Sequence, residues 1–273
     1  MKKRRADERL FEELGLESLA LARALIMEGR AFAGERKLKS PGEMVSEKEA
    51  MRVRGALDPY VSRGAHKLKK ALEAFAIDVC GETCIDVGAS TGGFTDVLLR
   101  AGARHVYAVD VGYNLLDYRL RTDARVTAME RVNARFLRPE GFPERPSFGA
   151  TDVSFISLKA VLPAALSVLE GANRRFVALV KPQFEAPRED VGEKGVVRDP
   201  QVHARVLEEV TAFVPTLGWK CAGLDFSPIR GPEGNIEFLL YIVPGDAAAE
   251  ALHEYAISDT IRRAYDKFIK MSV

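Results

Sequence analysis

Residues 85–95 read Ile85-Asp86-Val87-Gly88-Ala89-Ser90-Thr91-Gly92-Gly93-Phe94-Thr95. This pattern predicts a buried strand that ends in an acid, then a glycine-rich turn and the start of a helix. Glycines let the backbone of such a turn approach a ligand closely, and the helix N-terminus offers free N–H groups. The stretch therefore predicts the nucleoside-binding unit of an α/β domain.

The spacing of the glycines narrows the choice of ligand. A dinucleotide fingerprint requires glycine at the third position of the turn, where Ser90 stands. A phosphate-binding P-loop requires lysine after its last glycine, where Phe94 stands. An acid-x-Gly turn of this kind suits a ligand with a cationic sulfur and an amino-acid tail, namely S-adenosylmethionine. We expect the cofactor-binding residues of this segment to be Asp86, Gly88, Ser90, Gly92 and Gly93.

A second acid supports this interpretation. The apolar run 105–109 ends at Asp110, about 20 residues past the first glycine, where an acid accepts hydrogen bonds from ribose hydroxyls. A third strand over 126–129 precedes Asn133, which would offer its amide to the adenine edge or cap the following turn. An ordinary tight turn remains the alternative for the glycine loop by itself, whereas strand, loop, helix, strand and acid in sequence favour a nucleoside cofactor.

Composition limits the class of protein. The 273 residues are 47% hydrophobic and 29% charged, which is ordinary for globular proteins and allows a large domain plus a small one. The net charge is only +1, but residues 1–70 hold 17 Lys/Arg against 11 Asp/Glu. This basic front end indicates a polyanionic partner, with a solvated basic tail as the alternative.

The cysteines and the apolar runs of the sequence exclude disulfide-rich, zinc-binding and membrane-spanning proteins. Three cysteines make no disulfide framework, and neither they nor the four histidines have zinc-ligand spacing, so we expect no metal. No run approaches the ~20 apolar residues of a membrane helix, and no apolar signal segment opens the chain. We expect a cytoplasmic protein without membrane partners.

Residues 1–56 are predicted to form a separate small α+β module. One helical stripe ends at Gly15, a second begins after Ser18 and ends at Gly29, and short strands follow. Basic residues on such a unit are typical of a reader of RNA backbone phosphates, and a purely structural module is the alternative. The expected RNA-binding residues are Arg4, Arg9, Arg23, Arg30 and Arg63.

Residues 57–62 are predicted to be a linker, and residues 63–273 the large domain. A helix is expected from 62 to 75, and beyond Asp110 strands and helices alternate. The expected later elements are strands 148–152, 176–180, 220–226 and 236–243, and helices 158–169, 202–213 and 247–270. This alternation predicts an α/β fold with a Rossmann-like, doubly wound parallel sheet that closes in an antiparallel hairpin.

Four charged residues are candidates for the reacting groups. In an open α/β sheet, ligands bind outside the carboxyl ends of the strands. Asp152 and Lys181 end two strands, Glu237 lies at the last strand, and Lys67 stands ahead of the cofactor unit. Two lysines and two carboxylates at one edge would neutralise each other and leave an amine to steer a hydroxyl. A buried ion-pair network without chemistry is the alternative.

Long ordered motifs carry a family resemblance over almost the whole chain. They are 60–68, 86–95, 151–158, 180–185, 195–199 and 227–238. The front module resembles the alpha-L RNA-binding motif of a small-subunit ribosomal protein. The remainder is similar to FtsJ-like 2′-O-ribose methyltransferases, and the order of the two parts matches the TlyA (hemolysin A) family of rRNA methyltransferases.

This resemblance implies transfer of a methyl group from S-adenosylmethionine to a ribose 2′-hydroxyl of ribosomal RNA or ribosomal subunits, with cytidine as the expected nucleoside. It also implies a catalytic tetrad of Lys67, Asp152, Lys181 and Glu237, with Lys181 at the 2′-oxygen. Asp152 is expected to bind the cofactor as well. Lys181 would act either as a neutral base or as a charged group that stabilises an alkoxide. The competing hypotheses are a membrane-lytic protein and a non-catalytic RNA-binding factor that retains the fold.

Overall fold

The computed structural model describes residues 3–16, 18–54 and 59–269. The chain divides into two compact units, Met1–Pro59 and Tyr60–Val273. The predicted linker begins outside the described residues. Its last part packs onto the second unit, where Tyr60 and Val61 contact the apolar core and the Val61 N–H donates to Asp96 Oδ2 at 3.0 Å.

The first unit is a small α+β structure with its own apolar core. Its elements are β1 (Lys3–Arg5), α1 (Ala6–Glu13), α2 (Leu19–Met27), β2 (Ala31–Ala33), β3 (Arg36–Lys37), β4 (Met44–Ser46) and β5 (Met51–Val53). The predicted helix boundaries are confirmed, because the Ser18 side chain accepts from the Leu21 N–H and Gly15 and Gly29 follow the helices with positive φ. Leu10, Leu25 and Ile26 are buried between these elements.

The second unit is built on a mixed sheet. Its strands are β6 (Thr83–Val87), β7 (His105–Asp110), β8 (Val126–Glu130), β9 (Phe148–Thr151), β10 (Arg175–Val180), β11 (Trp219–Phe226) and β12 (Phe238–Pro244). Within the described residues these seven strands take the order β11-β12-β10-β9-β6-β7-β8. β12 runs antiparallel to both of its neighbours and the other pairings are parallel, so the predicted α/β fold class is confirmed.

Helices cover both faces of this sheet. They are α3 (Ala65–Ala74), α4 (Gly93–Arg100), α5 (Tyr118–Arg121), α6 (Leu158–Ser167), α7 (Pro182–Glu185), α8 (Pro200–Phe213) and α9 (Ala256–Phe268). Successive residues of β10 alternate between two cores, with Phe176, Ala178 and Val180 in one and Val177 and Leu179 in the other. Burial on both faces explains the nearly continuous apolar run of this strand.

The last helix is shorter than predicted. The sequence predicts a helix over 247–270, but α9 begins only at Ala256. The preceding segment instead runs beside β11, where the Leu252 N–H donates to the Cys221 carbonyl at 3.1 Å. A backbone hydrogen bond to an edge strand is a long-range contact, and helical periodicity does not reveal it.

The topology brings the predicted site residues to one edge. Asp86 lies in β6, Asp110 ends β7, Asp152 follows β9 and Lys181 follows β10. Glu237 precedes β12, and because this strand runs in the opposite direction its start lies at the carboxyl ends of the parallel strands.

Candidate active site

The glycine loop adopts backbone conformations that its sequence allows. Gly88 and Gly92 have φ values of +85° and +95°. A Cβ atom on Gly88 would lie 3.1 Å from Val153 Cγ1 and 3.2 Å from the Asp152 carbonyl, so this glycine permits close approach of the loop to the end of β9. A Cβ atom on Gly92 would collide with Leu116 and Leu120. Gly92 therefore lets the loop pack against these two leucines, and its contact with the cofactor stays a prediction.

Gly93 brings the helix that carries Lys67 against the loop. A Cβ atom on Gly93 would lie 2.4 Å from Ser62 Oγ and 3.0 Å from the Ala65 nitrogen. The starts of α3 and α4 thus touch at this glycine. This contact places Lys67 beside a cofactor loop that follows it by about twenty residues.

Asp86 is a fully buried carboxylate beneath the loop. Its Oδ2 accepts hydrogen bonds from the Thr95 N–H at 2.9 Å and from the Thr95 hydroxyl at 2.7 Å. Oδ1 has no hydrogen-bond partner among the described residues. Burial raises the pKa of the Asp86 carboxyl to about 7, against the two hydrogen bonds from Thr95. A cationic group next to Oδ1 would stabilise the ionised form.

Asp110 lines a cavity of about 450 Å³ at the ends of β6, β7 and β9. Its Oδ2 accepts from the Ser90 N–H at 2.8 Å and its Oδ1 from the Gly112 N–H at 2.6 Å. A carboxylate has about four acceptor sites, so these two bonds leave capacity for hydroxyl groups of a ligand. The volume is in the range of small-molecule sites.

The remaining walls of this cavity suit a flat apolar ligand with a polar edge. Val111, Leu115 and Val132 supply apolar surface. Asn133 also lines the cavity, and its Oδ1 accepts from the Arg135 N–H at 3.1 Å, which makes it the cap of a short 3₁₀ turn. Both roles considered for Asn133 from sequence are thus compatible with one conformation.

A second cavity of about 220 Å³ adjoins the first and contains the charged residues. Gly88, Ser90, Asp152 and Ser154 line both cavities, and Lys67 and Lys181 line the second. Asp152 is therefore the carboxylate shared by the cofactor-sized cavity and the lysine-lined one.

The four predicted tetrad residues meet in one chain of ion pairs. Lys67 Nζ lies 2.7 Å from Glu237 Oε2 and 3.2 Å from Asp152 Oδ2. Lys181 Nζ lies 2.6 Å from Asp152 Oδ1. Each oxygen of Asp152 thus contacts a different lysine, and the ion pair of Glu237 is with Lys67. Glu237 is thus linked to Lys181 by way of Lys67 and Asp152.

The pKa values of this cluster follow from two opposing effects. Burial by itself would lower the pKa of Lys67, but Asp152 and Glu237 outweigh burial and raise it. Burial would raise the pKa of Asp152, but Lys67 and Lys181 outweigh burial and lower it. Both groups are therefore held in their charged forms.

Two neighbours of the tetrad were not predicted as site residues. Lys181 Nζ donates to Ser154 Oγ at 2.8 Å, which gives the amine a second fixed partner. Phe155 is 90% exposed, has a φ of +62° and lies 5.0 Å from the Phe184 ring. Left-handed backbone is costly for a bulky residue, and an exposed aromatic ring held this way indicates a contact surface for a ligand. The run Asp152-Val153-Ser154-Phe155 directly after a strand carries this signal in the sequence.

The structure corrects the expected role of Arg9 in RNA binding. Arg9 is 2% exposed, and its guanidinium donates to the carbonyl oxygens of Ser46 and Glu49 and pairs with Glu13. Because this guanidinium is buried and donates its hydrogen bonds within its own unit, it cannot contact an RNA phosphate.

The other arginines expected to bind RNA lie nearer the surface. Arg4 pairs with Glu12, Arg23 with Asp7 and Arg30 with Glu28. Arg63 is exposed just before α3, next to Ser62 and Gly64 of the second cavity.

No helix in the described part of the chain combines the length and apolar character needed to cross a membrane. Within residues 3–16, 18–54 and 59–269, His, Cys, Asp and Glu side chains form no group of three or more that could hold a metal ion.

Comparison with known proteins identifies the family. The model of the FtsJ-like methyltransferases matches residues 60–243. The chain belongs to the FtsJ-like methyltransferase family. This confirms the family expected from the sequence motifs.

Curated relatives of this methyltransferase match nearly its full length. A Bacillus subtilis (strain 168) protein provisionally named rRNA methyltransferase YqxC is 46% identical over 97% of this chain and 95% of its own. The Mycobacterium tuberculosis (strain ATCC 25618 / H37Rv) protein named 16S/23S rRNA (cytidine-2′-O)-methyltransferase TlyA is 43% identical over 95% of this chain and 96% of its own.

A solved structure has the same fold. It is of a Streptococcus thermophilus protein provisionally named a hemolysin, and it is 43% identical with a TM-score of 0.79. The match covers 100% of this chain and 99% of the other.

Proposed function

We propose that this chain methylates ribose 2′-hydroxyl groups of ribosomal RNA, at cytidine, with S-adenosylmethionine as the methyl donor. The observation that carries the proposal is the chain of ion pairs through Lys67, Asp152, Lys181 and Glu237, which opens into the cavity above the glycine loop. These residues come from four separate segments of the sequence, and a cofactor-sized cavity lies beside them.

The residues present fit S-adenosylmethionine. The buried Oδ1 of Asp86 has no hydrogen-bond partner in the described residues, and the ammonium group of an amino-acid tail would satisfy it. Asp110 has spare acceptor sites for two ribose hydroxyls. The apolar residues Val111, Leu115 and Val132 suit an adenine ring, with Asn133 at its edge.

The bound cofactor supplies a methyl group already activated by its sulfonium sulfur, so the protein's work is alignment and charge stabilisation. Alignment of two reactants in one site can supply ~7–11 kcal/mol of a barrier. We assign Lys181 as the group that contacts the 2′-oxygen. Paired with Asp152 at 2.6 Å, an ammonium donates a hydrogen bond to this oxygen and stabilises its negative charge as the hydroxyl proton passes to water.

The other tetrad members position this amine. Asp152 and Ser154 fix two directions around Lys181 Nζ and leave its third N–H for the acceptor. Lys67 fixes Asp152 and is itself fixed by Glu237. The exposed Phe155 ring beside the cavity offers a stacking surface for a base that has left its helix.

Ribosomal RNA is the substrate favoured by the relatives. TlyA of Mycobacterium tuberculosis carries the name of a 16S/23S rRNA cytidine-2′-O-methyltransferase, and the match covers both units of this chain. We infer that the front unit is the RNA-binding domain, with Arg4, Arg23 and Arg30 at its surface, and that Arg63 binds RNA beside the reacting groups. We therefore expect the activity in the cytoplasm.

Methyl transfer to defined rRNA tests the proposal. Purified protein, tritiated S-adenosylmethionine and unmodified ribosomal subunits are combined, and the product is digested to nucleosides for mass spectrometry. We expect 2′-O-methylcytidine in the wild-type reaction and none with Lys181→Ala. Tight RNA and cofactor binding without any methylated nucleoside would instead identify a non-catalytic RNA-binding factor.

A further inference from the structure

Three cations surround one aromatic ring at the end of the edge strand β11. Lys70 Nζ lies 3.7 Å from the centroid of the Phe226 ring, Arg263 Cζ 5.6 Å and Lys267 Nζ 5.7 Å. We call Lys70, Arg263, Lys267 and Phe226 the Phe226 cluster. Lys70 comes from α3, and the other two cations come from α9, so two helices converge on this ring.

The Phe226 cluster carries more positive than negative charge. Asp225 pairs with Lys70 at 2.8 Å and with Arg263 at 3.2 Å. Lys267 is exposed, and its contacts in the described residues are with the rings of Phe226 and Phe268. Burial lowers the pKa of Lys70, and repulsion from Lys267 and Arg263 lowers it further. Lys70 and Arg263 share one carboxylate, and Lys267 pairs with none in the described residues, so an external anion would relieve the repulsion between the three cations.

The cluster lies on the same edge of the sheet as the tetrad. Lys70 follows Lys67 by about one turn of α3. Phe226 pairs in register with Phe238 of β12, and the Ser227 N–H donates to the Glu237 carbonyl at 2.8 Å. The strand order therefore places the cofactor cavity at β6 and β7, the tetrad at β9, β10 and β12, and the cluster at β11. Two strand spacings, about 10 Å, separate β10 from β11.

We propose that the Phe226 cluster binds a backbone phosphate of the RNA strand that carries the acceptor ribose, on the side of the tetrad away from the cofactor cavity. A phosphodiester accepts charge-assisted hydrogen bonds from lysine and arginine, and the phenylalanine ring holds these cations in place. The proposal rests on the proposed function, because it takes the acceptor to be RNA. It adds a second anchor, so that the strand is held beyond the reacting ribose.

Lys267 is the residue to change, because its loss breaks no ion pair in the described residues. The variants are Lys267→Gln and Lys267→Glu. The matched control is Arg262→Gln, which removes an exposed cation from the same helix where it pairs with Asp259 and Asp266. For each protein we would measure KM for RNA, kcat at saturating RNA, cofactor affinity, and the dependence of RNA affinity on salt.

We expect Lys267→Gln to raise KM for RNA about fivefold and Lys267→Glu at least tenfold, with kcat and cofactor affinity unchanged. The slope of log affinity against log salt should become shallower by about 0.7, the value for one phosphate on a single strand. The control should stay within twofold of wild type. Wild-type KM and salt slope in Lys267→Glu would overturn the proposal.

RNA binding is measured without turnover, so its result is independent of whether methylation occurs. A wild-type protein that binds RNA but methylates none would count against the proposed function. The salt dependence of RNA binding would still test the Phe226 cluster in that case. Addition of inorganic phosphate to wild type should weaken RNA binding no more than chloride at equal ionic strength, because the cluster is proposed to bind a phosphate within a strand. Selective competition by free phosphate would show a small-anion site instead.

Discussion

Replacement of Lys181 by methionine removes the amine and keeps an unbranched stem of similar length. The ammonium lies 2.6 Å from Asp152 Oδ1 and 2.8 Å from Ser154 Oγ, and the side chain is 7% exposed. Loss of one donor aimed at a developing oxyanion costs ~2.7–4 kcal/mol, which is a 10²–10³-fold fall in rate. We expect Lys181→Met to lower the single-turnover rate of rRNA methylation by this factor.

The same substitution should have a modest effect on stability. Breaking a buried ion pair outright costs ~3–5 kcal/mol, because one charge is left without a partner. Asp152 keeps Lys67 at 3.2 Å and its side chain is 19% exposed, so we expect a loss of roughly 1–2 kcal/mol, below that range. Cofactor affinity should stay within a few fold, since the apolar wall and Asp110 are untouched.

Rapid-quench single turnover on ribosomal subunits, calorimetry with the cofactor and urea unfolding measure these three quantities. Lys159→Met is the matched control, because this exposed lysine pairs with Glu209 on α8, away from the cavities. A Lys181→Met protein that methylates within tenfold of the wild-type rate would refute the assigned role. The four charges would then be a structural network.

Four other substitutions test separate parts of the structure. Asp110→Asn removes the charged acceptor that the N–H groups of Ser90 and Gly112 share with the proposed ribose hydroxyls. Calorimetry should therefore show cofactor affinity weakened by ~1.5–3 kcal/mol. Unchanged affinity would contradict the ribose assignment. Arg9→Met should lower the free energy of unfolding by about 2–4 kcal/mol, because Arg9 is buried. Arg63→Gln should leave the free energy of unfolding within about 0.5 kcal/mol of wild type and weaken RNA binding. Equal effects of the two variants on unfolding would be inconsistent with the burial of Arg9. Burial lowers the pKa of His203 to about 4, from 6.5, so the folded state resists protonation and the contribution of His203 to stability should fall by up to ~3 kcal/mol as pH drops from about 6.5 to about 4. Urea unfolding of wild type and His203→Phe across this range isolates this contribution as a difference, because the raised pKa of Asp86 acts with the opposite sign in both proteins. A difference in unfolding free energy that does not change with pH would contradict the assignment to His203.

The strand ends were predictable because a parallel sheet places them together. A buried apolar run followed by a charged residue marks both the strand and its direction, so Asp152 and Lys181 were found without knowledge of any contact. Glu237 was expected within the strand predicted over 236–243, and the structure has it just before β12. The antiparallel course of this strand brings its start to the same edge.

The errors came from contacts that the local sequence does not contain. Arg9 lies on a helix with a charged neighbour at i+4, which is typical of a solvated face, but its guanidinium is buried by carbonyls about forty residues away. Gly92 and Gly88 have similar φ values, and the sequence does not show that a Cβ on Gly92 would meet Leu116 and Leu120 whereas one on Gly88 would meet Asp152 and Val153. Ser154 was not assigned because its partner, Lys181, belongs to another strand.

The position of β12 has a consequence for synthesis of the protein. Although β12 comes later in the sequence than β11, it lies between β10 and β11, so the sheet becomes continuous only when this strand inserts. Glu237, which fixes Lys67 of α3, arrives with the same strand. A ribosome-bound nascent chain that has emerged only as far as β11 holds the glycine loop, Asp152 and Lys181, but Lys67 still lacks one of its two carboxylates. The reactive centre would thus be complete only after β12 has emerged from the ribosome.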